Sequence, residues 1–88
     1  MSDLNKSTLH LMNSFTTWKT NAVPGKLYEL RHAKPFVSDY VWLKGILENN
    51  KYRQEKKLVE KAETTLQLLK NDYIEARKFL EQEESKFN

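Results

Sequence analysis

Residues 59–80 read VEKAETTLQLLKNDYIEARKFL, and this stretch decides the fold. Within it Val59, Ala62, Leu66, Leu69, Tyr73, Ala76 and Leu80 recur at alternating spacings of three and four. That spacing lines them along one side of an α-helix, where they must be covered. The cover is the rest of the chain, a second copy or another protein. The pattern predicts a helix over 52–84, roughly 45–50 Å long at 1.5 Å per residue. A helix of that length outruns what short neighbours cover, which favours a homodimer or a hetero-partner on its distal part. On its outer face Arg77 and Glu81 stand at i, i+4, a pair that adds a few tenths of a kcal/mol.

Working back, the stretch 48–57 is polar apart from Tyr52. Before it lies the most apolar part of the chain, with Phe36, Val37, Tyr40, Val41, Trp42, Leu43, Ile46 and Leu47. This segment, 36–48, predicts a central apolar helix, with Ser38 as its cap and Asp39 near its positive end. The stripe ending at Leu47 is out of register with the heptads that start at Val59. Either the chain turns at Asn49-Asn50, where Asn tolerates a left-handed helix end, or one long helix shows different faces to different neighbours.

Before the central helix, 21–35 reads as a turn and a short segment. Pro24-Gly25 marks the turn. Lys34-Pro35 is expected to close the segment, because a proline pushes the preceding residue out of the helical region. At the start, Leu4, Leu11, Phe15 and Trp18, with Thr8 and Met12 beside them, predict an amphipathic helix over 3–20 that Ser2 or Asp3 caps. The expectation is one all-α domain over 1–88, with three or four helices and a long, heptad-patterned C-terminal one.

The chain has 88 residues, with 15 Lys and Arg against 12 Asp and Glu, two Gly, two Pro and no Cys. So few turn formers argue against an all-β fold. The lack of cysteine removes disulfides, thiolate nucleophiles and thiolate metal sites, and fits a reducing compartment. No apolar run reaches membrane-spanning length, and the early acid at Asp3 does not fit a signal peptide. A cytoplasmic protein is expected, without contact to a membrane.

No residue constellation specifies a reaction. Glu29 and His32 stand at the Glu-x-x-His spacing of carboxylate-bridged metal bundles, but such sites need a second copy and two further glutamates. His10 is remote from His32 in sequence. The serines lack a nucleophile elbow, and Pro24-Gly25 lacks the spacing of a phosphate loop. No enzymatic role, metal or cofactor is expected.

The leading expectation is a small non-enzymatic interaction protein, an adaptor, inhibitor or regulatory subunit, that binds a protein partner through Leu66, Leu69, Tyr73, Phe79 and Leu80. The alternative is nucleic-acid binding through Lys51, Arg53, Lys56, Lys57 and Lys61, a basic segment leading into heptads as in helix-forking DNA-binding dimers. Glu55 and Glu60 interrupt that charge. Among the aromatic residues, Trp18, Tyr40 and Trp42 are expected in the core, although Tyr40 and Trp42 cannot both point straight inward.

Overall fold

The computed structural model describes residues 3–21, 30–49 and 54–85. They form three α-helices: α1 (Asp3–Asn21), α2 (Leu30–Leu47) and α3 (Lys56–Ser85). The expected all-α arrangement with a long C-terminal helix is what the chain adopts. α1 and α2 run antiparallel. Ser14 of α1 meets Asp39 of α2, and the rings of Phe15 and Trp18 lie against Phe36. α3 returns along the pair. Tyr40 of α2 reaches Leu66 and Tyr73, while Trp18 and Lys19 of α1 reach Phe79 and Asp72.

The heptad seam explains how one helix serves two neighbours. Ala62, Leu69 and Ala76 form its centre and are buried. On one flank, Val59, Leu66, Tyr73 and Leu80 are partly buried against the core, and Tyr73 stacks on Tyr40 of α2 at 4.0 Å between ring centroids. On the other flank, a second column runs through Leu58, Thr65, Asp72 and Phe79, again with a seven-residue repeat. It faces α1, where Phe79 meets Trp18 at 5.9 Å and Asp72 holds Lys19 at 2.7 Å. The small alanines let the helix sink between its neighbours, and the larger side chains fill both grooves.

The seam is therefore covered within the chain as far as Leu80. The expected need for a second copy over the distal part of α3 does not arise there. Of the residues expected to meet a partner, Leu69 is buried in this chain's own core, and Leu66, Tyr73, Phe79 and Leu80 are partly buried against it.

α1 buries Leu4, Thr8, Leu11 and Trp18, with Phe15 partly covered. Thr8 is tolerated there because its hydroxyl donates to the Leu4 carbonyl at 2.9 Å, and Thr65 of α3 donates likewise to Lys61 at 2.8 Å. Neither hydroxyl is left unpaired in the core.

α2 departs from the sequence expectation. It begins at Leu30, so residues 30–35 belong to it, Pro35 lies inside it, and Ser38 is mid-helix rather than a cap. Proline supplies no N–H for the carbonyl four residues back and disfavours a helix interior. Packing outweighs that cost, because Ala33, Phe36, Tyr40 and Leu43 form one buried stripe that spans the position of Pro35, which is itself exposed. At the other end Glu48 and Asn49 donate i→i+3 hydrogen bonds to Gly45 and Ile46, tightening the last turn. The helix stops there and α3 starts at Lys56, so α2 and α3 are two helices rather than one continuous one. Ser2, Pro24-Gly25, Asn50 and Tyr52 lie outside the described residues.

The second departure is Trp42. Two residues along a helix rotate the side chain by roughly 200°. With Tyr40 turned into the core, Trp42 points away and is 68% exposed. Trp18 is in the core as expected, at 1% exposure.

Candidate functional site: the outer groove between α1 and α2

α3 covers one face of the α1–α2 pair. On the opposite face the two helices leave a groove. α2 lines it with Arg31, Pro35, Ser38, Trp42 and Ile46, Asn49 follows just beyond that helix, and α1 contributes Lys6, Ser7, His10, Asn13 and Thr17. Apart from the adjacent pair Lys6 and Ser7, both sets recur at three or four residues, as the outer edges of two helices must. Around Trp42 two hollows of about 580 and 660 Å³ share Ser38, Trp42 and Ile46; the first is lined from both helices, the second from α2 and Asn49 alone. A smaller cleft of about 220 Å³ continues it toward Arg31 and His32. These hollows are open troughs rather than enclosed cavities of the kind that surround small ligands.

Trp42 is central. Val41 beside it is 51% exposed, and Ile46 one turn on is half-buried. Gly45 stands in the same turn, and a Cβ added there would meet nothing within 4 Å. The missing side chain leaves open space beside the indole. Single exposed apolar side chains are ordinary on a protein surface, and Leu68 on α3, at 73%, is one. Val41, Trp42 and Ile46 differ in being joined in one hollow.

The lining holds two cations, Lys6 and Arg31, one carboxylate and two histidines. Lys6 and His10 stand on the α1 side, Arg31 and His32 on the α2 side. Asp39 is the single carboxylate among the described lining residues, and it accepts a hydrogen bond from the Ser14 hydroxyl. Most of the described carboxylates stand elsewhere, on α3.

Tyr40 lies on the far side of α2 from Trp42. Burial raises the Tyr40 phenol above its ordinary value of about 10, and the stacked Tyr73 adds to the rise. Its hydroxyl donates to the Leu66 carbonyl at 3.3 Å, so it fastens α2 to α3.

Of the expected nucleic-acid residues, Lys56, Lys57 and Lys61 are exposed on the first turns of α3. Lys51 and Arg53 lie outside the described residues. The up-down-up path brings Lys6 near the start of α1 and Lys44 in the last turn of α2 to that same end of the bundle. Glu48, Glu60 and Glu63 are interspersed with them. Glu29 also lies outside the described residues, so its pairing with His32 is not defined. Among the described residues no three His, Asp or Glu side chains gather as metal ligands, and no helix is long and apolar enough to cross a membrane.

Sequence reasoning missed the groove. The clue was available in the pair Tyr40 and Trp42, of which one had to point outward, and in Gly45 one turn beyond. The chain matches no family model, no curated protein and no solved structure.

Proposed function

We propose that this protein is a small, non-enzymatic, cytoplasmic interaction protein that docks another protein on the outer α1–α2 groove. The observation that carries this reading is the 68% exposure of Trp42 within a joined apolar hollow. Tryptophans set among apolar neighbours with a polar rim are the commonest energetic centres of protein interfaces. The heptad seam is engaged within the chain, so the docking role moves from α3 to α2. The absence of cysteine fits a reducing compartment.

The test has two steps. A photoreactive residue in place of Val41 captures the partner, and binding is then reconstituted from purified components. Trp42→Ala should weaken that binding tenfold or more, at a cost of about 2 kcal/mol. Leu68→Ala, an exposed apolar site off the groove, should leave it unchanged. A partner that binds Trp42→Ala as tightly as the native chain would overturn the reading.

Nucleic-acid binding is the second reading, favoured by the convergence of Lys6, Lys44, Lys56, Lys57 and Lys61 at one end of the bundle. It requires affinity that falls steeply with salt and a slope that flattens when these lysines are replaced. A slope unchanged by their replacement would exclude it.

A further inference from the structure

We draw no further inference here: the strongest candidate, the apolar hollow around Val41, Trp42 and Ile46 on the outer face of α2, belongs to the site already described, and nothing in the structure shows what covers it.

Discussion

Tyr40 shows how much one side chain settles. It stacks on Tyr73, donates to the Leu66 carbonyl and, by pointing inward, sends Trp42 outward. Removing the hydroxyl in Tyr40→Phe should cost about 0.5–1.5 kcal/mol by denaturant unfolding near neutral pH. The same residue gives stability a pH dependence. Its folded-state pKa lies above the unfolded value of about 10, so the folded chain holds the phenolic proton more tightly. That contribution is fully present below pH 10 and is lost as pH rises through the folded pKa. Native protein should therefore lose stability above pH 10, and Tyr40→Phe should lose less over the same range. Equal losses would assign the alkaline transition to other groups. Residue by residue, the core was legible wherever side chains repeat on a heptad: Leu4, Leu11, Trp18 and the whole seam of α3 lie as their spacing requires. What the seam did not reveal was the adjacent column of Leu58, Thr65, Asp72 and Phe79. Its polar members masked the repeat, since a threonine bonded to its own helix and an aspartate paired with Lys19 read as surface until their partners are seen.

At the scale of the element, α2 and α3 each carry features that weaken them as helices. Pro35 lies within α2 and Gly45 near its end, both exposed. Gly45→Ala should stabilise the protein by about 0.5–1 kcal/mol, because a Cβ there meets nothing and a helical glycine gives up more backbone freedom than alanine does. A thermal melt that falls instead of rising would show that the open space beside Trp42 has a structural role. α3 opposes its own dipole. It starts with Lys56 and Lys57 and ends with Glu83 and Glu84, with no acid in its first turn and no base in its last. α1 and α2 place Lys19 and Lys44 in their last turns, where a cation is favoured. A matched charge at a helix end is generally worth about 0.3–1 kcal/mol at low salt. Lys57→Glu combined with Glu84→Lys should raise the melting temperature at low salt, with the gain shrinking as salt is added. No gain at low salt would show that these ends are already compensated. The boundaries of α2 were the least legible part of the sequence. Proline and serine supplied local stop and start signals, and a buried stripe on the opposite face of the same helix overrode them.

At the scale of the molecule, the three helices satisfy the heptad seam internally, which bears on how the protein unfolds. A seam shared between copies would make the melting temperature rise with protein concentration. Here Leu69 is 5% exposed within one chain, so the melt should be independent of concentration. Leu69→Asp should unfold the chain at every concentration rather than shift a dimer equilibrium. A concentration-dependent midpoint in the native chain would place a second copy on α3 after all. The overall architecture was legible because helical periodicity and the scarcity of glycine and proline point the same way. The groove was not, because it consists of what is left uncovered, and that depends on how three helices pack. The packing order also matters while the chain is being made. α1 and α2 emerge first, and the stripe that α3 will cover, with Phe36, Tyr40 and Leu43, has no lid until the last helix follows. At a translation rate of about 5–20 residues per second, the 30 residues of α3 take roughly 1.5–6 s to synthesise. For those seconds the nascent hairpin presents apolar surface on both faces, one awaiting its own C-terminus and the other bearing Trp42, and it is then that a ribosome-associated chaperone has most to bind.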